Sequence, residues 1–297
     1  MSTAQNLNAQ NVNTDHKCGN TSQNFHNARR AKDDEFYTPF NVVADELDNY
    51  NFHGQRVFCP CDNEKSAFVQ YFKLKNIDVQ WRSYTPPTDL LGDVVKKRGV
   101  FETDEEFDKG VAACDVIVTN PPFSKWRSFF DTVIASGKKF LILGKTTAAS
   151  VSSVFAAIKA GKVWAGNSGQ IENCYFERPN GAPARKVPVI WYTNLDKPPR
   201  APFVPKNQLT VADLKARGLW ETFNERPDVL NVNFVHNIPV DYYGLIAVGA
   251  HAFYRFQDGG WEFVEGNNFC DMKVGDRCVN ARLVIRRKQN AAVENIK

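Results

Sequence analysis

No apolar run in this 297-residue chain approaches the roughly 18 residues that a membrane span requires, so no spanning helix is expected. The first 30 residues are polar throughout and offer no secretory signal. Histidine is sparse. His16, His26, His53, His236 and His251 stand without ligand spacing, and no Ser or Cys nucleophile motif accompanies them, so solvated or structural roles are expected. The seven cysteines are odd in number, which argues for reduced thiols in a cytoplasm. Cys59-Pro60-Cys61 resembles half a metal site, but no second Cys or His pair follows at matching spacing, so no metal is expected. Internal repeats are also lacking. What remains is 43% hydrophobic and 24% charged residues, the balance of an ordinary folded protein with length for a substantial core.

The net charge of +4 is unevenly distributed. Residues 31–119 carry 10 basic and 17 acidic side chains, a net −7, whereas residues 120–200 carry 12 and 4, a net +8. An acidic block beside a basic one suggests separate faces for a cationic or neutral ligand and for a polyanion. Residues 1–30 hold 10 Asn or Gln without hydrophobic periodicity and read as a flexible arm. Ordered structure is expected from residue 33. Helical spacing is predicted at 41–47, 64–74, 104–113, 124–136 and 151–160. Strands are predicted at 56–61, 78–84, 115–119, 139–143, 162–165 and 189–192. That alternation predicts an α/β fold, a largely parallel sheet with helices on both faces, over residues 31–197. Pro198, Pro199, Pro202 and Pro205 then interrupt the pattern. Residues 198–297 read as a smaller C-terminal region, expected to contribute to target recognition.

The chemically informative stretch is Asp115-Val-Ile-Val-Thr-Asn120-Pro121-Pro122-Phe123, a hydrophobic strand running into Asn-Pro-Pro-aromatic. In open α/β sheets ligands bind beyond the carboxyl ends of the strands, where Asn120 falls. Two prolines fix their φ angles and remove two backbone donors, leaving carbonyl acceptors beside the Asn120 side-chain oxygen. Rigid acceptors next to a ring suit an exocyclic amino group on a planar heterocycle. Holding its two N–H bonds frees a lone pair otherwise conjugated with the ring. Phe123 would stack on such a base once it had left a duplex. With a sulfonium as methyl donor, alignment and fixed dipoles suffice.

Asn-Pro-Pro-Phe resembles the signature of S-adenosylmethionine (AdoMet)-dependent amino-methyltransferases. The surrounding stretches resemble the EcoRI-type adenine-specific DNA methyltransferases. They are Asp34-Glu-Phe-Tyr37-Thr38-Pro39, Val57-Phe-Cys59-Pro60-Cys61-Asp62, Val118 to Ser124, Lys139-Phe-Leu-Ile-Leu-Gly144-Lys145 and Ile238-Pro-Val-Asp-Tyr-Tyr-Gly244, in that order. The resemblance implies a Rossmann-like class I methyltransferase sheet, AdoMet as cofactor, and N6-adenine methylation of double-stranded DNA, as in restriction–modification. By it, Asn120 and the Pro121 carbonyl accept the N6 hydrogens, Pro122 stiffens the turn, and Phe123 stacks on adenine. Tyr37, Thr38 and Pro39 line the methionine pocket, Cys59, Pro60, Cys61 and Asp62 shape the turn beneath it, and Phe101 packs on the cofactor's adenine. Two departures stand out: no acidic residue ends the second strand to hold the ribose, and Val100 replaces an expected Asp. Lys125, Trp126, Arg127, Lys145, Arg185, Lys186, Arg286 and Arg287 are the DNA-contact candidates, with helix packing the equal alternative for Trp126 and Arg127; the oligomeric state is left open, a monomer being compatible with the sequence. Two other readings are a methyltransferase acting on a glutamine side-chain amide, and an inactive DNA-binding protein on the same scaffold.

Overall fold

The computed structural model of the chain describes residues 37–83, 105–172, 174–177, 184–267 and 273–288. The N-terminal arm expected over residues 1–30 lies outside them.

Helix α1 (Phe40–Leu47) starts directly after Pro39, which occupies the N-cap with φ −59°. Strand β1 (Val57–Cys59) leads to α2 (Ala67–Leu74), whose N-cap Ser66 accepts from the Val69 amide at 3.3 Å. Next come β2 (Val79–Trp81), α3 (Glu105–Ala113) and β3 (Val116–Thr119). Helix α4 (Trp126–Ser136) ends on Gly137 at φ 67°, a left-handed cap that only glycine adopts without strain. Then β4 (Lys139–Lys145) runs through a 3-10 turn, Thr146–Ser150, into α5 (Ser152–Lys159) and β5 (Trp164–Ile171). A short hairpin of β6 (Tyr175–Phe176) and β7 (Arg185–Lys186) precedes β8 (Val189–Thr193).

Six strands form one sheet in the order β2-β1-β3-β4-β8-β5. The first four are mutually parallel, while β8 runs antiparallel to both of its neighbours, a reversal that the expectation of a largely parallel sheet did not include. The reason is a short connection. The β6–β7 hairpin brings the chain back at the end of the sheet where β5 finishes, so β8 enters from that end. Successive strand residues divide between two cores. Phe58, Ile117, Phe140, Ile142, Ile190 and Tyr192 pack with α3, α4 and α5. Val57, Cys59, Val116, Val118, Leu141, Leu143, Val189 and Trp191 pack with α1 and α2. Burial on both faces is why these strands read as unbroken apolar runs.

Beyond the prolines, α6 (Val211–Ala216) is closed by a Thr210–Asp213 capping box. It is followed by β9 (Glu221–Thr222), β10 (Val229–Val232), β11 (Leu245–Gly249), a 3-10 stretch Ala250–Phe256, and β12 (Trp261–Asn267). The hairpin β13 (Lys273–Val274) and β14 (Arg277–Cys278) comes before β15 (Arg282–Arg287). These strands form a second sheet, β12-β15-β11-β10-β9. Its inner face, with Leu230, Val232, Ile246, Val248, Leu283 and Ile285, joins the α3–α5 core, so one apolar cluster links both sheets. Cys59, Cys61, Cys114 and Cys174 are free thiols, but Cys278 is disulfide-bonded, against the expectation of reduced cysteines throughout. Cys278 stands on an edge hairpin, half-buried, and its partner lies outside the described residues. Among the described residues no helix is long and apolar enough to cross a membrane.

Two polar anchors bear on the cleft described below. Glu46 of α1 is fully buried, and its carboxylate accepts from Tyr50 Oη (2.8 Å), the Asn167 amide (2.7 Å), and the Ser168 amide and hydroxyl (2.7 and 2.5 Å). It fastens α1 to β5. At the end of β4, Trp126 Nε1 donates to the Leu143 carbonyl at 2.8 Å, and a Cβ at Gly144 would lie 2.5 Å from the Trp126 ring. Gly144→Ala is therefore expected to overpack this corner and destabilise the fold by about 1–3 kcal/mol, read as a lower urea midpoint at unchanged slope.

Candidate active site

The carboxyl ends of β1 and β3 open into a cleft of about 490 Å³. Its wall combines Tyr37, Thr38, Pro39 and Phe40 at the start of α1, Cys61, Asp62, Asn63, Lys65 and Ser66 on the turn after β1, Ser83 after β2, and Asn120 to Phe123 after β3. Sequence segments about 80 residues apart thus meet in one wall. The size falls within the range of about 300–1,000 Å³ that small-molecule sites occupy.

The Asn120 to Phe123 stretch begins where β3 ends. Val116 to Thr119 are fully buried, and Asn120 and Phe123 emerge half-buried at the cleft, with Pro121 beneath them. A backbone bond from the Lys125 amide to the Pro122 carbonyl (2.9 Å) closes the turn ahead of α4. The Phe123 ring stands edge-on to Phe176 of β6, with centroids 5.7 Å apart, and Lys145 Nζ lies 5.0 Å from its centre. Phe123 is therefore held from two sides, by an aromatic edge and by a cation at the end of β4.

The floor is electrostatically unusual. Asp62 is buried, and its carboxylate accepts from Thr119 Oγ1 at 2.5 Å and from the Ser66 hydroxyl. Its backbone amide donates to the Arg82 carbonyl at 3.1 Å. Burial pushes the Asp62 carboxyl from its ordinary 3.8 up to about 7, against the two hydroxyl bonds, which lower it. The same burial drives the Cys59 and Cys61 thiols well above their ordinary range, so they stay protonated at neutral pH. Cys59 and Pro60 are buried under the turn and do not line the cleft.

A cofactor with a cationic centre and polar ends fits these residues. Thr38 Oγ1 is buried beside the cleft with no hydrogen-bond partner, and an unmatched buried hydroxyl is costly unless a ligand completes it. Asp62 would face a cation, and Lys65 and Glu177 bring one charge of each sign to the wall. Asn63, Lys65, Ser66, Gln70, Ser83 and Glu177 were not foreseen. Ser66 had a readable signal as a helix cap. Glu177 had none, because it reaches the wall through a two-way backbone bridge with Tyr37 (3.0 and 3.2 Å) across 140 residues. At the end of β2, where an acidic ribose holder was missing from the sequence, the cleft shows Ser83. Phe101 lies outside the described residues.

The DNA-contact candidates divide. Lys125 and the exposed Arg127 flank the start of α4, Lys145 sits against Phe123, and the exposed Lys186 is on the hairpin that carries Phe176. The Arg185 side chain is not among those described. Trp126 must be reassigned. It is 5% exposed, stacked on Phe130 (5.3 Å, 16°) and packed on Tyr192, so it belongs to the core and not to a DNA surface. Arg287 packs over the rings of Tyr243 and Trp261 and donates to the Val240 carbonyl (3.2 Å), which makes it a prop for the 239–243 loop. Arg286 is ion-paired with Glu262 at 2.7 Å. Neither arginine lines the cleft.

Because Asp62 holds its proton in the native state to about pH 7 and loses it near pH 4 when unfolded, its burial destabilises the fold increasingly as pH rises between those values. Asp62→Asn keeps an acceptor for Thr119 without the charge. The variant is expected to gain stability over the parent by a few kcal/mol at most at pH 8, and by less at pH 5, while binding the cationic cofactor more weakly. Urea midpoints at the two pH values and calorimetric titration check both halves.

A sequence profile of the family described as adenine-specific methyltransferase EcoRI matches residues 24–84 and 76–296. Among individual relatives, the type II methyltransferase M.MgeORF184P of Mycoplasma genitalium is 31% identical over 258 residues, covering 75% of this chain and 80% of its own. The type II methyltransferase M.EcoRI of Escherichia coli is 26% identical over 324 aligned residues, covering 91% and 98%. M.MpnI of Mycoplasma pneumoniae, another type II methyltransferase, is 29% identical over 265 residues, covering 75% and 79%. No solved structure matches the chain.

Proposed function

This chain belongs to the EcoRI-type family of adenine-specific methyltransferases, and on that premise we propose that it transfers the methyl group of AdoMet to the N6 amino group of adenine in double-stranded DNA. The observation that carries the reading is the cleft itself, in which the turn after β1 and the Asn120 to Phe123 stretch share one wall. The strand order β2-β1-β3-β4-β8-β5, with its single reversed strand, supports a Rossmann-like class I methyltransferase sheet.

Bound AdoMet supplies a methyl group already activated on a sulfonium. Thr38, Asp62, Lys65 and Glu177, all in the cleft wall, would hold its methionine end and its positive charge. The Asn120 side-chain oxygen and the Pro121 carbonyl take the two N6 hydrogens of an adenine turned out of the duplex, and Pro122 keeps the turn from yielding. Phe123, braced by Phe176, stacks on the base. With both hydrogens held, the N6 lone pair would be free to take the methyl group as its bond to sulfur breaks, a neutral thioether leaving and one N6 proton passing to solvent, and alignment would account for the rate. Lys125, Arg127, Lys145 and Lys186 meet phosphates around the mouth, adding salt dependence without sequence choice.

Residues 31–197 make the AdoMet-binding catalytic unit, and residues 198–297 contribute target recognition from the second sheet. We place the enzyme in the cytoplasm, acting in the manner of a restriction–modification methyltransferase. Transfer of tritium from labelled AdoMet to duplex DNA, followed by separation of nucleosides, is expected to place label in N6-methyladenine. Label in methylcytosine or in protein would refute the reading. Asn120→Ala is expected to lower turnover at least a hundredfold, with duplex affinity kept within a few-fold. Normal kcat in that variant would remove Asn120 from its assigned role.

A further inference from the structure

Asp62 does more than line the cleft. Three chain segments converge on it. Its amide is held by the Arg82 carbonyl beyond β2, while its carboxylate takes the Ser66 hydroxyl at the cap of α2 and Thr119 Oγ1 at the last position of β3. Thr119 has no solvent exposure, and its hydroxyl donates to the Asp62 carboxylate at 2.5 Å. The next residue is Asn120. On the far side of Asn120, Pro121 and Pro122 fix the backbone, so a change in the orientation of Thr119 cannot be absorbed there and must move the Asn120 side chain. The carboxylate end of the bond lies in the wall that would face the cationic cofactor. The hydroxyl end lies in the chain that would hold the target base.

We infer that the Thr119–Asp62 hydrogen bond couples the two halves of the cleft, making Thr119 a positioning residue through which an occupied cofactor pocket sets Asn120 for the target base. A cation beside Asp62 favours its ionised, acceptor-only form, which strengthens the bond from Thr119 and fixes the end of β3. By linkage, target DNA must then tighten cofactor binding by the same factor as cofactor tightens DNA. The inference rests on the proposed AdoMet and DNA reading, since it names what occupies each half.

The test uses the full chain, a duplex containing the methylated site, and sinefungin, an unreactive analogue in which a protonatable amine replaces the sulfonium. The duplex dissociation constant is measured with and without the analogue. For the parent protein the analogue is expected to tighten DNA binding at least fivefold. In Thr119→Val, which keeps the shape and removes the hydroxyl, the ratio is expected to fall to about one, and kcat to fall tenfold or more. Thr119→Ser is expected to restore both. Asp62→Ala removes the other end of the same bond, so it should abolish the ratio too, and the double variant should lose nothing further. This second route keeps the test decisive if Thr119→Val does not fold. Absence of coupling in the parent, its persistence in Thr119→Val, or failure of Thr119→Ser to restore it overturns the inference. Product analysis of the parent separates this from the wider reading. Label in N6-methyladenine without coupling refutes the Thr119 role alone, whereas no methyladenine refutes the function beneath it.

Discussion

The cleft depends on a carboxylate kept away from water. Asp62 has hydroxyl partners, Thr119 and Ser66, and no cation is within bonding distance among the described residues. Leaving it there lowers the stability of the free protein at neutral pH. A positive ligand entering beside it would reduce that penalty, so an arrangement that weakens the free fold would strengthen the binding of such a ligand. The remainder of the structure keeps this spot dry and rigid. Thr119 is the end of a strand buried on both faces, Ser66 caps a helix, and the turn between them is pinned to β2.

Rigidity is supplied from both faces. On one side α1 and α2 cover the sheet, with Glu46 tying α1 to β5 so that Tyr37, Thr38 and Pro39 are delivered to the cleft at a fixed height. On the other, Trp126 and Tyr192 pack beneath the turn that carries Asn120, and Tyr192 stacks on Phe253 of the C-terminal half at 5.5 Å. The second sheet is therefore built onto the back of the catalytic strands. A displacement of that sheet would be felt under Asn120 through a continuous apolar cluster, because close-packed cores transmit strain.

Much of this was legible in the sequence where physics is local. The alternating β and α segments could be read because two-sided burial demands long apolar strands, and the predicted ends of β3, β4 and α4 fall within two residues of those observed. Asn120 to Phe123 could be read because two prolines after a strand leave few conformations. What escaped depends on partners distant in the chain. Trp126, beside two basic residues and a catalytic turn, looked like a surface ring until the fold placed it on Tyr192. Arg287 looked like a phosphate ligand, but Trp261 and Tyr243 enclose it. The reversal of β8 follows from the β6–β7 hairpin, a tertiary detail without a local signature. Glu46 gave no sign that four donors would converge on it.

The backbone bridge between Tyr37 and Glu177 has a consequence for how the molecule comes into being. These residues leave the ribosome far apart in time, and the pairing encloses nearly the whole catalytic sheet as one loop. Closing so long a loop carries a large entropic penalty until the intervening strands have paired. This part of the cleft wall cannot form in a nascent chain until residue 177, directly after β6, has emerged. A partly made chain carries the Asn-Pro-Pro-Phe turn before the cleft beside it has its full wall.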